Sequence, residues 1–173
     1  MALLERILAA LEALLRDLPD PWDARGTEGE GMWNAQDIVG HLIHCEQTDW
    51  MLRARRIRED GETRVFDLFD WHGYRKAIRE KLLGQLLGEF AEIRERNLVE
   101  LRSWHLPERD LALKGRHPAL GTVTRGELLA TWAAHGLNHL HQLARLLAHQ
   151  YREAVVPFLA YMGVFVCNGH SAG

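Results

Sequence analysis

No stretch of this chain approaches the roughly 18 uninterrupted apolar residues that a membrane-spanning helix needs, so a helical membrane protein is excluded. Cysteine is nearly absent. Cys45 and Cys167 are far apart and too few for a disulfide framework, which points to a reducing compartment and makes the cytoplasm the expected location. The opening run M-A-L-L-E-R-I-L-A-A-L-E-A-L-L-R carries acidic residues inside its apolar pattern and so lacks the unbroken core of a signal peptide. An excess of one charge is also missing. The net charge is −3 and the pI near 6.4, with Lys and Arg scattered, so nothing resembles the electrostatic footprint of a nucleic-acid binder. Internal repeats, low-complexity tracts and alternating strand patterns are not seen. What the chain does have is apolar content: 47% of 173 residues, enough for one globular domain whose core needs no covalent staples.

The apolar residues recur with helical period. A first helix is predicted from about Ala2 to Asp17, with Leu3, Ile7, Leu11, Leu14 and Leu15 on one face, stopped by Leu18-Pro19-Asp20-Pro21. The stretch from Asp23 to Gly31 reads as a solvated loop. Asn34 then caps a second helix, with Asp37 completing a capping box and Trp33 placed to staple onto Ile38. Its stripe runs through His41, Leu42, Cys45 and Asp49 to a basic run at Arg53, Arg55, Arg56 and Arg58, read as a solvated end. Asp60-Gly61 breaks it, and an aromatic connection through Phe66, Phe69, Trp71 and Tyr74 is expected to pack over one end of the fold. A third helix is predicted from about Tyr74 to Trp104, with Gly84 and Gly88 as the points where it would bend. After a loop with Pro107, Gly115, Pro118 and Gly121, Thr124 and Glu127 form a second capping box that opens a helix ending near His149 to Tyr151. The tail, V-V-P-F-L-A-Y-M-G-V-F-V-C-N-G, predicts one more short helix beginning at Pro157. The expected fold is an all-α, up-down four-helix bundle with an additional short C-terminal helix, in a single domain over residues 1–173.

The chemistry is expected on the last long helix, in T-W-A-A-H-G-L-N-H-L-H-Q-L-A-R, residues 131–145. His135 and His139 are four apart, one turn along and close in azimuth, so both imidazoles reach one point. Their stripe continues as Leu128, Trp132, Gln142 and Leu146, so two polar rings enter the interior and need a cation or a hydrogen-bond network to satisfy them. His41, on the other helix whose stripe carries imidazole, is the third candidate ligand. Three neutral histidines with an open fourth position suit a divalent metal that activates water or a thiol. His44, one turn along, competes with His41. Cys45 reads as a small buried hydrophobe, with a thiolate ligand as the alternative. Gln142 is placed to hydrogen-bond a ligand, whereas His141 and His149 lie off the stripe and are expected to be exposed. Glu46 and Asp49 are the nearest acidic candidates for proton transfer or support of the ligands.

The segments W-N-A-Q-D-I-V-G-H-L-I-H-C-E, from Trp33 to Glu46, and H-G-L-N-H-L-H-Q-L, with F-D-L-F-D-W between them and F-L-A-Y-M-G near the end, resemble the DinB-like metal-binding four-helix bundles. The resemblance covers nearly the whole chain. It implies metal ligands at His41, His135 and His139, zinc or nickel as the ion, a small-molecule substrate such as a low-molecular-weight thiol, and a homodimer. Gly136 stands where that family often has Asp, and Asn138 where it often has His; the ligand positions survive both changes. Two look-alikes are set aside. H-G-L-N-H lacks the Glu that H-E-x-x-H metalloproteases use as a base. The terminal G-H-S-A-G matches a nucleophile elbow by letter but has no following helix, Asp or His. Three functions remain: a metal-dependent transferase or hydrolase, a non-catalytic metal-binding or stress-related bundle, and a structural bundle with a satisfied histidine cluster.

Overall fold

The computed structural model describes residues 2–18, 27–29 and 31–165. Its helices are α1 (Ala2–Leu15), α2 (Ala35–Thr48), α3 (Trp50–Glu59), α4 (Tyr74–Ile78), α5 (Leu83–Ser103) and α6 (Arg125–His149), with a two-stranded hairpin, β1 (Lys114–His117) and β2 (Gly121–Thr124), before α6. Both expected capping boxes form. Asn34 Oδ1 accepts from the Asp37 N–H at 2.8 Å, and the Asp37 carboxylate accepts from the Asn34 N–H at 3.2 Å. Thr124 and Glu127 exchange the same pair of bonds at 3.1 and 2.7 Å. Each box satisfies two N–H groups that a helix start would leave open.

Two clusters of buried side chains mark the two ends of the bundle. One joins Leu11, Leu15, Ile38, Leu86, Phe90, Leu143 and Leu146. The other joins Leu4, Trp50, Met51, Leu98, Leu101, Leu128 and Trp132. Comparing residue numbers across the clusters gives the sense of each helix: α1 and α6 run one way, and α2–α3 and α5 the other. The four-helix bundle read from the sequence is therefore present, with its alternation broken once, between α2–α3 and α5. α1 packs on α5 and α6, while α2 packs on α5 and α3 on α6, so α1 stands diagonally from α2. The parallel pair requires a long return, and the aromatic connection supplies it. This segment does not cap an end of the bundle as expected; it runs back beside α2, with Tyr74 and Ile78 buried. A Cβ on Gly40 would lie 2.5 Å from Ile78 Cγ2 and 3.1 Å from Tyr74 Cδ2, so only glycine admits α4 so close to His41.

Several sequence expectations need correction. The second helix bends at Asp49 (φ −116°, ψ −81°) and so divides into α2 and α3. The third does not begin continuously at Tyr74. It stops after Ile78 and restarts at Leu83, because Leu82 is extended (ψ 153°) and the Lys81 carbonyl accepts from Gln36 Nε2 at 3.1 Å. Gly84 and Gly88 lie inside α5 with open space around them. The hairpin was not anticipated; its four-residue strands are too short to display a period. The basic run is not a solvated end: Arg53 pairs with Asp49, Arg55 with Glu100 and Arg56 with Asp67. His141 and His149 are half-buried, not exposed. The tail forms two 3-10 turns, Val156–Tyr161 and Gly163–Phe165, the second returning against α6, and not one α-helix beginning at Pro157. Most of the expected loop from Asp23 to Gly31, the Pro19–Pro21 stop and Cys167 lie outside the described residues. Among the described residues no helix is long and apolar enough to cross a membrane.

Candidate metal centre

His41 comes from the middle of α2, and His135 and His139 from one face of α6. Their Nε2 atoms converge: His41 lies 3.2 Å from His135, and His135 lies 3.1 Å from His139. Among the described residues this is the group of histidine, cysteine and carboxylate atoms placed closely enough to hold a metal. A tetrahedral ion with metal–nitrogen bonds of about 2.0–2.1 Å spaces its nitrogens about 3.3–3.4 Å apart, so the donor set fits a divalent ion. Gln142 Oε1 lies 2.9 Å from His139 Nδ1. The amide oxygen can only accept, so Nδ1 carries the hydrogen and the Nε2 lone pair is directed at the other two rings. His41 Nδ1 is buried without a hydrogen-bond partner among the described residues.

The three rings are kept neutral. Burial, then the neighbouring His139 and His44, hold His41 down at about 3. Burial, then His139, His41 and Arg94, hold His135 at about 2. Burial also lowers His139, against the opposing hydrogen bond from Gln142. Neutral imidazole is the ligating form, so the fold prepares the histidines for a cation at neutral pH. Aromatic side chains enclose them. Trp33 stacks on His139 (centroids 6.0 Å apart, 8° between planes) and lies 5.0 Å from His41. Phe69 and Tyr74 meet His41 edge-on at 5.8 and 6.1 Å, and Trp50 meets His135 at 5.1 Å. This cage was not legible in the sequence, because Phe69 and Tyr74 belong to the return segment whose path had been read differently.

His41 and His135 open onto a cavity of about 570 Å³ between the return segment and the hairpin, while His139 sits behind them. Asp49, a sequence candidate, lines this cavity. Burial raises its carboxyl to about 6, against the opposing charge of Arg53, whose Nε lies 2.7 Å away. Glu46, the other candidate, does not line it. Its carboxylate accepts from Arg94 Nε at 2.9 Å, Trp132 Nε1 at 2.7 Å and Asn97 Nδ2 at 2.9 Å, which commits both oxygens to a clamp joining α2, α5 and α6. Arg94 and Asn97 had gone unnoticed, although with Phe90 and Leu101 they fall on one helical stripe at spacings of four, three and four. His44, the competitor to His41, flanks the centre, its ring 5.2 Å from Phe69, outside the converging group. Cys45 is buried, with burial pushing its thiol well up; Sγ lies 3.4 Å from His41 Nε2 but does not join the mutually close donors.

Gly136 now has a physical reason. A Cβ there would lie 2.9 Å from Ile7 Cδ1 and 3.2 Å from Cγ2, so α1 packs directly on α6 between the two histidines.

YfiT from Bacillus subtilis, described as a probable metal-dependent hydrolase with an unusual four-helix bundle topology, superposes with a TM-score of 0.72 at 18% identity, covering 88% of this chain and 84% of that one. At that identity the likeness is one of fold. No curated protein matches the chain significantly. The sequence does match the DinB superfamily over residues 3–143, a span that includes all three converging histidines, both helix caps and the return segment, and the chain belongs to that superfamily.

Proposed function

We propose that His41, His135 and His139 hold one divalent ion, zinc or nickel, through their Nε2 atoms, and that the chain is a metal-dependent hydrolase or thiol transferase. The observation that carries this reading is the convergence of three neutral imidazoles, two buried and His135 half-buried, on one point at the floor of a cavity. The ion would supply Lewis-acid chemistry, lowering the pKa of a water or thiol placed at its open position. The chain's own groups do the rest. Gln142 holds the tautomer of His139, and the rings of Trp33, Trp50 and Tyr74 pack against the imidazoles and hold their orientation. Asp49, its carboxyl raised to about 6 and so still ionised at neutral pH, receives a proton from the incoming group at the cavity wall and returns it to the leaving group. A low-molecular-weight thiol as co-substrate and a homodimer belong to the same reading; a monomer by light scattering at high micromolar concentration counts against the dimer.

Elemental analysis of purified protein tests the ligand set. About one divalent ion per chain is expected, lost in His135→Ala and in His139→Ala; wild-type protein that takes up none when offered zinc and nickel refutes it. Cobalt-substituted protein tests the open position. Its visible spectrum is expected to change on adding a small thiol or azide. A sulfur charge-transfer band already present without thiol would mean that Cys45 closes the site, which its 3.4 Å approach to His41 makes the specific rival, and the chain would then be a non-catalytic metal module.

A further inference from the structure

The two most exposed leucines among the described residues are Leu68 (84%) and Leu120 (73%), and both line the cavity above the histidines. A single exposed leucine needs no explanation. Two that line one concave space, one on the return segment and one at the hairpin turn, give it an apolar rim whose surface can leave water only when something fills the space. Trp71, 53% exposed, stands beside Leu68 on the same wall.

The charged and polar groups of the wall are already engaged. Asp49 and Arg53 neutralise each other at 2.7 Å. The Glu127 carboxylate accepts from the Thr124 N–H and hydroxyl at 2.7 and 2.9 Å. His117 Nδ1 accepts from the N–H groups of Ala119 and Leu120 at 3.1 and 3.2 Å, which also fixes the turn that carries Leu120. Asp49 and Arg53 cancel each other and the Glu127 carboxylate is committed to capping α6, so the one charge left uncompensated on the wall is negative; the rest of the lining is predominantly apolar, and a space of about 570 Å³ suits an organic molecule of drug-like size.

We infer that the substrate has an uncharged apolar body, aromatic or branched aliphatic, held against Leu68, Trp71 and Leu120, with its reacting polar group directed toward His41 and His135. The orientation rests on the function proposed above; the apolar contact does not, since it depends on the walls alone.

The neutral fluorophore N-phenyl-1-naphthylamine is the probe. One molecule per chain is expected to bind both metal-loaded and metal-free wild-type protein, with fluorescence enhancement and energy transfer from tryptophan that weakens in Trp71→Phe. Leu68→Asp with Leu120→Asp, at positions too exposed to disturb the core, is expected to weaken binding about tenfold or more, since two apolar contacts are lost. His135→Ala should lose metal and keep the probe, so a failure of the metal reading leaves this result standing. Binding unchanged in the double aspartate variant, or abolished by Phe158→Ser with Tyr161→Ser on the exposed tail, would overturn the inference.

Discussion

Removing the Glu46 carboxylate should show whether this residue serves the chemistry or the framework. The Glu46 and Arg94 side chains are 0% and 1% exposed, and their closest approach is 2.8 Å. In Glu46→Ala the Arg94 guanidinium keeps one bond, from Nη1 to the Leu4 carbonyl at 3.0 Å, and is otherwise a buried charge without compensation. Breaking one side of such a pair costs about 3–5 kcal/mol. The orphaned donors of Trp132 and Asn97 belong to the same network, so their losses are not added separately. Against a typical total of about 5–15 kcal/mol, the variant should be severely destabilised or unfolded at room temperature. Exchanging both partners for apolar groups, Glu46→Leu with Arg94→Met, removes the charges together, and the double variant should recover to within about 2 kcal/mol of wild type or exceed it. Urea denaturation of wild type, Glu46→Leu, Arg94→Met and the double variant, followed by tryptophan fluorescence, supplies the four corners of the cycle. A Glu46→Ala cost below about 1 kcal/mol, or a double variant costing the sum of the two singles, would refute the clamp. Glu46→Gln separates the roles: a proton carrier would lose activity at unchanged stability, whereas a clamp loses stability, because an amide whose oxygen stays with Arg94 and Trp132 turns a donor on Asn97 Nδ2 and leaves the Arg94 charge uncompensated.

Four further outcomes follow from the site and its packing. Gln142→Leu frees the His139 tautomer, and metal affinity measured by chelator competition should fall about 10–100-fold with the fold intact by circular dichroism; unchanged affinity would remove Gln142 from the site. In metal-free protein the depressed pKa values of His41 and His135 mean that the unfolded chain binds more protons below about 6.5, so stability should fall as pH drops from there toward 3, by up to about 1.4 kcal/mol per pH unit for each histidine. Asp49 works with the opposite sign, since its raised carboxyl favours the folded state below 3.8 and loses that contribution as pH rises through about 6; Asp49→Asn should steepen the rise of stability between pH 4 and 6, and an unchanged slope in urea titrations would contradict its burial. Gly136→Asp forces a carboxylate against Ile7 and should cost several kcal/mol in thermal or urea unfolding, whereas Gly136→Ala sets about 1 kcal/mol of helix propensity against a small movement of Ile7; an Asp variant as stable as wild type would mean that α1 does not pack there.

The sequence by itself was enough for whatever is local or periodic. The i, i+4 spacing of His135 and His139, their stripe from Leu128 to Leu146, the two capping boxes and the apolar faces of the long helices depend on residues within a few turns of one another, and the structure reproduces them. Gln142 was legible for the same reason, three residues from its partner. His41 could be nominated, because it is an imidazole on an apolar face, but its 3.2 Å approach to His135 across 94 residues depends on how α2 and α6 are brought together. Only tertiary structure decided the items with long sequence separation. The return segment could equally have capped the bundle, and its course beside α2 depends on Gly40 admitting Ile78 and Tyr74. Glu46 and Asp49 are three residues apart, one in the last turn of α2 and the other at the bend that follows, and in the sequence they look alike as carboxylates. Their difference comes from what α5, α6 and α3 bring to each: Arg94, Asn97 and Trp132 close around one, while Arg53 and an open cavity face the other. A carboxylate's surroundings are set by the packing of distant elements, and one-dimensional spacing carries no record of them.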